Sequence, residues 1–441
     1  MGFTDFLLFP IYVLIFHLFF SFQRKKMADP RLKVYHKYAF WVKVLASFTI
    51  TIFYSYITIG DTTTLYYAEG GNLYMHIMND PENIQWIFRP GKEYPAHLLK
   101  FEANKGYFGS EANFLIIKLV ALFSFFSFGR YMIINLFFSM LAFTGIWRLF
   151  LFFYQNYPHL HKKLALAILF FPTVVFWSSG ALKDPVCMSM LGWFTYACYN
   201  LLYKKKNLII NLPIILGSAL VLLTVKAYII FAYIPFFIFY LVSINLTSLK
   251  NPVLRISSFL IIALISIVGF TTMTEKLEEE MGMLALDKLS ESVQMQQNNF
   301  IYMSERAESS FSLGVEFDGS IGSLVKIAPA AINATLFRPY LWESKKISTL
   351  LSSLESLSLM VFFLVVLFKA RVWKFFSILV KDPMIMFCIS FSLLFALFVG
   401  ATTLNFGTLV RYKIPCLPFF LIALMLINEK LKKQPLKPTQ P

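Results

Sequence analysis

Acidic residues are scarce in this chain and confined to a few places. It carries 24 Asp and Glu against 40 Lys and Arg, and 18 of the 24 acids fall in two polar stretches, residues 60–112 and 275–347. Those stretches hold only 11 of the 40 basic residues. Cysteine is sparse too: Cys187, Cys198, Cys388 and Cys416 lie in or at the edge of apolar runs with no paired spacing. That pattern argues against a disulfide framework and a zinc site. Of six histidines only His76 and His97 fall in the acidic stretches. No metal site is indicated, and a divalent metal cofactor is neither called for nor excluded. No internal repeat is visible.

Most of the rest is apolar. Mean hydropathy is +0.64, 58% of residues are hydrophobic, and Phe alone supplies 50 of 441, more than a soluble domain of this size carries. The apolar segments run for about 16–22 residues, enough to cross a bilayer core of roughly 30 Å. The net charge of +16 does not point to nucleic acid. The basic runs, such as Arg24 to Lys26 and Lys204 to Lys206, are short and sit at the ends of apolar segments, where they meet anionic lipid head groups and fix orientation.

The distribution of charge sets the layout. Apolar runs at about 5–22 and 41–60 flank a basic link from Gln23 to Lys43, which the positive-inside rule places in the cytoplasm, with the N-terminus outside. Asp5 and the absence of a leading basic region make the first run an uncleaved helix rather than a signal peptide. Residues 114–128 are expected to form a re-entrant or interfacial helix, because a full crossing there would put the basic link His159 to Lys163 outside. Further spans are expected at about 132–153, 163–180, 184–203, 208–225, 227–245, 256–273, 348–369, 384–403 and 412–428. The expected fold is therefore all-α and polytopic, with about eleven spans forming one integral membrane domain over residues 1–441. Two outer loops, about 60–112 and 275–347, carry interfacial helices; the C-terminus is cytoplasmic and the tail from about residue 432 to 441 is disordered.

Polar chemistry is expected at the outer rim. Asp61 follows Gly60 at the outer end of a span, and a carboxylate held there suits a general base toward an acceptor hydroxyl. The alternative is a helix cap over Thr62 to Thr64. Lys183 stands at the tight turn Gly180-Ala181-Leu182-Lys183-Asp184-Pro185 and is placed to hold a lipid phosphate; Asp184 before Pro185 reads as a helix start. Lys226 lies inside the apolar stretch Leu208 to Val242, where an ionisable residue marks function unless it snorkels to the interface. Arg338 and Glu343 bracket Trp342, and Arg411-Tyr412-Lys413 opens the last span. Each cation there suits either phosphate binding or interfacial anchoring.

This arrangement resembles the GT-C superfamily, multi-span glycosyltransferases that take sugar from a polyprenyl-phosphate carrier. The likeness rests on Asp61 heading a first outer loop with interfacial helices, a short span ending in Pro172 to Ser179 with an immediate return, and Lys226 near the outer end of the next hairpin. The closing Arg411-Tyr412-Lys413-Ile414-Pro415 with Pro418 is similar to both that superfamily and the O-antigen polymerases. The chain differs in having an extra span before the one that carries Asp61, and in pairing Asp61 only with Glu69. The resemblance implies a cell-envelope glycosyltransferase or polysaccharide polymerase at the outer face of a bacterial inner membrane. Its partners would be a lipid-linked sugar donor, a glycan or lipid acceptor, and membrane lipids. Asp61 would be the base, and Lys183, Lys226, Arg338 and Arg411 with Glu343 would bind substrate. The competing expectation is a transporter or flippase for a lipid-linked or charged glycan.

Overall fold

A computed structural model describes residues 2–245, 311–314, 321–344 and 347–433, with the isolated positions 253, 257 and 261. The expected span at 256–273, most of the second acidic stretch and the tail after Lys433 lie outside the described residues. The described chain is helical throughout, and it divides into two compact units, Met1–Ala227 and Tyr228–Pro441.

Among the described residues six helices are long and apolar enough to cross a membrane: Phe3–Lys25, Pro30–Ile57, Tyr131–Asn156, Leu208–Ile244, Thr349–Ala370 and Pro383–Thr402. Two bent pairs raise the number to eight if each pair is one span. The first helix, α1 (Phe3–Lys25), has 23 residues, about 34 Å at 1.5 Å per residue. It leaves Phe3, Leu14, Leu18 and Phe22 more than half exposed, as suits a helix whose outer face meets lipid rather than water.

The second helix begins earlier than its apolar run. In α2 (Pro30–Ile52), Asp29 accepts from Arg31 N at 2.8 Å and Pro30 takes the first position, the usual start grammar of a helix. The link between α1 and α2 therefore shrinks to a few residues around Ala28. Lys43, expected at its edge, is carried deep into the helix and buried.

The segment expected to span at 163–180 is broken by Pro172 into α7 (His161–Ile168) and α8 (Pro172–Trp177). The next, α9 (Lys183–Cys198), is 16 residues long and continues as a π-helical turn at Tyr199–Tyr203. Neither reaches spanning length as a single α-helix. Residues 111–127 form α5 (Glu111–Ser127), bent by 113° against the preceding Glu102–Phe108 segment, which contains the single turn α4 (Lys105–Phe108). A 17-residue helix after so sharp a corner is either a broken span or a re-entrant loop.

The core of the first unit is the packing of α6 (Tyr131–Asn156) against α2 and α9. A Cβ on Gly145 of α6 would collide with the backbone of Ser189, and one on Gly192 would strike the Gly145 carbonyl. Small residues thus let the two backbones touch, the arrangement that gives helices a close fit where no hydrophobic effect drives them together. In the second unit the same device joins α11 (Ile321–Phe337) to α14 (Pro383–Thr402). Gly400 abuts the Ala331 carbonyl, and Thr335 Oγ1 donates to Ala396 O at 2.7 Å. The unit is completed by α12 (Ile347–Ala370), α13 (Val372–Lys381), α15 (Phe406–Tyr412) and α16 (Leu417–Lys433).

Candidate functional site

The outer end of α2 does not stop cleanly. Phe53–Ile57 winds as a π-helix, the chain opens through Thr58 to Gly60, and Thr62–Tyr67 is π-helical again before α3 (Ala68–Asn79). Wide π turns of this kind are uncommon and collect at functional sites. Gly60 packs closely on Tyr54, since a Cβ there would lie 2.7 Å from the ring and the ring would have to shift.

Asp61, expected as base or cap, is exposed, and its carboxylate makes no capping bond to the following turn. The hydroxyls of Thr63 and Thr64 donate to Gly60 O instead, each at 3.1 Å. Glu69, the acid expected to pair with Asp61, is buried and committed elsewhere. It accepts from Lys100 N at 2.9 Å, Phe101 N at 3.0 Å and Asn104 Nδ2 at 2.7 Å. Three donors on one carboxylate clamp the loop back onto α3, which makes Glu69 an organiser rather than a reacting group.

Beside this loop opens a cavity of about 720 Å³, lined among others by Asp5, Thr63, Tyr67, Lys100, Arg130 and Tyr131. Its volume lies within the usual range of ligand pockets. Asp61 is not in its wall, whereas Thr63 and Thr64, one turn further on, are. The carboxylate inside it is Asp5. One oxygen of Asp5 accepts from Gly2 N at 2.6 Å, and the other is buried without a hydrogen bond, 3.8 Å from Arg130 Nη1. A buried carboxylate oxygen left unbonded is costly and therefore informative.

Arg130 follows a tight turn in which Phe128 and Gly129 both take positive φ, 53° and 67°. Tyr67 OH donates to Gly129 O at 2.9 Å, fixing that turn, and the Tyr67 and Tyr131 rings lie 4.8 Å apart. Burial, then the nearby Asp5 charge, pushes the Tyr67 phenol above its ordinary range, with Arg130 opposing. Thr62 and Tyr131 share a hydroxyl–hydroxyl hydrogen bond at the back. The cavity thus offers one carboxylate, two cations and several hydroxyls, a set able to accept a proton and to hold a phosphate.

The other expected residues form two further clusters. The helical run α10 (Leu208–Asn245) breaks at Lys226, near the end of the first unit, where φ of −152° and ψ of 76° are not helical. Lys226 Nζ meets Asp184 Oδ1 at 2.6 Å in the first turn of α9, with both side chains almost fully buried. Lys183 is half-buried next to it in sequence. Asp184, expected to cap the helix start, lies instead in the first turn after the cap position Leu182, where it is the carboxylate that receives Lys226.

A residue with no assigned role, Lys43, makes a third buried centre. Its ammonium donates to Ser178 O, Ser178 Oγ and Ser179 Oγ at 2.5, 2.9 and 2.6 Å, at the C-terminal end of α8 where a cation meets helix carbonyls favourably. Asn135 ties the same turn down, donating to Thr51 and accepting from Ala181 N at 2.8 Å.

In the second unit Arg338 and Glu343 come together as a salt bridge. Arg338 Nε lies 2.9 and 3.1 Å from the two Glu343 oxygens, Nη1 donates to Ser312 O at 3.1 Å, and the guanidinium stacks 4.2 Å from the Phe311 ring. A phosphate at Arg338 would have to displace these partners. Lys413, buried, donates to Arg338 O at 3.0 Å and Ser356 Oγ at 2.9 Å. Arg411 is buried two residues earlier, 5.4 Å from the Tyr412 ring.

Asp5, Arg130, Lys100 and Lys43 are the residues that sequence reasoning passed over. A signal for the first two was present, since the charge rule puts both the start of the first helix and the start of the span after Arg130 on one side. Among the described residues no three His, Cys, Asp or Glu side chains group as metal ligands. No protein-family model, curated protein or solved structure matches the chain.

Proposed function

We propose that the chain is a multi-pass glycosyltransferase of a bacterial inner membrane, taking its sugar from a polyprenyl-phosphate carrier at the outer face. The observation that supports it best is the cavity beside the first loop, where Asp5, Lys100 and Arg130 share a wall with hydroxyl groups at the end of the long apolar helix α2. Transfer from such a carrier needs a base for the acceptor hydroxyl and cations for the leaving phosphate. Asp61 at the exposed turn and Asp5 within the cavity are the carboxylates proposed as base. Arg130 and Lys100 are the cations in the cavity, and Lys183 and Lys226 are cations at a separate centre. The full count of about eleven spans, the outer N-terminus and the cytoplasmic C-terminus belong to the same proposal.

A transporter reading draws support from one feature, the break of α10 at Lys226. Interrupted helices with a buried ion pair are where carriers place their substrate site. One experiment separates the two. A deletion strain that accumulates a lipid-linked monosaccharide or a single repeat unit supports transfer, and intact glycan trapped inside supports transport. Complementation then sorts the carboxylates. Asn at Asp61 or Asp5 keeps size, and loss of a general base lowers synthesis by roughly 10²-fold or more. Near wild-type synthesis by normally expressed variants of both would refute the catalytic proposal.

A further inference from the structure

A second cavity, of about 280 Å³, lies between the C-terminal part of α6 and the link Lys204 to Asn207 that follows α9. Its wall includes Arg148, Lys204 and Lys206 together with Trp193, Tyr196 and Asn200, and no Asp or Glu. Arg148 stacks 4.5 Å from the Trp193 ring and 5.2 Å from the Tyr196 ring. Lys204 Nζ reaches the Gln155 side-chain oxygen at 2.5 Å. Among the described residues, none of the three cations has a carboxylate within ion-pair distance.

Three like charges lining one small cavity repel each other, and an anion among them relieves that repulsion. Arg148 sharpens the point. It stands eight residues before the end of α6, about 12 Å along the helix axis, well inside an apolar segment where a lone cation is expensive and marks function. The chain also bends to build the site. After the π turn Tyr199–Tyr203, Lys205 and Asn207 both adopt positive φ, 53° and 45°, a conformation that costs a lysine energy and persists where surroundings enforce it. Asn211 Nδ2 donates to Lys206 O at 2.7 Å and to Asn207 O at 3.0 Å, holding that shape.

We infer that this cavity binds a phosphate group, either a lipid head group or free phosphate. Its volume falls just under the usual range for drug-sized ligands, which suits a head group and not a nucleotide. Arg148 supplies a stacked, fork-shaped donor set and the two lysines supply point charges, the combination that recognises phosphate. The site goes beyond glycosyl transfer and does not depend on the chemistry of Asp61, so Asp61→Asn is expected to leave it intact.

The test uses the full chain in phosphatidylcholine nanodiscs. Thermal unfolding is followed as inorganic phosphate is titrated, and again with phosphatidate added to the bilayer, with retained lipid counted by native mass spectrometry. Saturable stabilisation by inorganic phosphate identifies free phosphate as the ligand, and stabilisation by phosphatidate alone identifies a lipid head group; both support the site. In either case Lys204→Gln/Lys206→Gln and Arg148→Gln weaken binding about tenfold or more. The double lysine variant alters exposed or half-exposed side chains and keeps the fold. Lys25→Gln/Lys26→Gln, which removes a basic pair from another link, leaves binding unchanged. No stabilisation by either probe, or an equal loss in the Lys25/Lys26 control, overturns the proposal.

Discussion

Glu69→Gln isolates how the outer loop is held. The wild-type carboxylate takes three donors: Phe101 N and Asn104 Nδ2 on Oε1, and Lys100 N on Oε2. Gln has the same size but one oxygen, so in its best orientation one backbone N–H faces an NH₂ group. Leaving that donor unsatisfied costs about 1–3 kcal/mol, and turning the two remaining charge-assisted bonds into neutral ones costs roughly another 1 kcal/mol or more. A total near 3 kcal/mol raises the open fraction of the loop by about 10²-fold, at tenfold per 1.4 kcal/mol. The loss is expected to be local, because these three partners all lie in the segment from Lys100 to Asn104. Trypsin reads it directly, since Lys100 and Lys105 lie in the clamped segment and cleavage follows the open population when closing is fast. Lys92 is the internal control, its neighbour Gly91 N being held by Glu111 at 2.5 Å. Cleavage after Lys100 should accelerate about 10²-fold while cleavage after Lys92 does not. A wild-type rate at Lys100, or equal acceleration at all three sites, would refute the clamp.

Two further outcomes follow from the described geometry. Lys43→Met keeps the volume of the side chain and removes a buried charge, so thermal unfolding in detergent should shift little, within about 1.5 kcal/mol. Lys43→Ala opens a cavity and should cost about 2–5 kcal/mol; a Met variant as unstable as Ala would show that the ammonium itself holds the α2–α8 contact. Single cysteines at Thr63 and Lys205 should label from opposite sides of the membrane, Thr63 from outside. Labelling of both from one side would overturn the orientation and with it the placement of each site.

The helical, membrane-crossing character was legible because it depends on composition and segment length, which survive any local error. Boundaries were less so. The second apolar run suggested a start near residue 41, yet Asp29-Pro30 is a strong helix start, and a helix that packs against neighbours can carry Arg31, Lys33 and Lys37 in its first turns. Pro172 was visible but was read through, because apolar residues continue on both sides of it. The expected span at 163–180 therefore becomes two shorter pieces.

The geometry around the candidate residues was legible only in part, for one physical reason. Sequence reasoning finds the polar loops and isolated ionisable residues such as Lys183, Lys226 and Arg411, but not the partners that they meet across a bundle. A bundle of helices has a second place for charge, the space between helices, where a single ionisable residue inside an apolar run meets partners distant in sequence. Asp5 and Arg130 are 125 positions apart, Asp184 and Lys226 are 42, and no spacing rule connects either pair.

Lys226 and Lys43 show what remains readable even so. Both are buried cations within apolar helices, and position alone marks each as exceptional. Their partners divide them. Lys226 meets a carboxylate at 2.6 Å where the helix is broken, so the pair is close to neutral. The contacts of Lys43 are hydroxyls and carbonyls at a helix end, which stabilise its charge by dipoles without cancelling it. A cation held by dipoles tolerates an apolar replacement of equal volume, whereas removing one member of an ion pair leaves the other charge exposed to the low-dielectric interior. Lys226→Met should therefore destabilise by about 3–5 kcal/mol, and adding Asp184→Leu should recover most of that loss. Detergent unfolding of the single and double variants measures it, and a double variant no more stable than Lys226→Met would show that the pair is not what holds the broken helix.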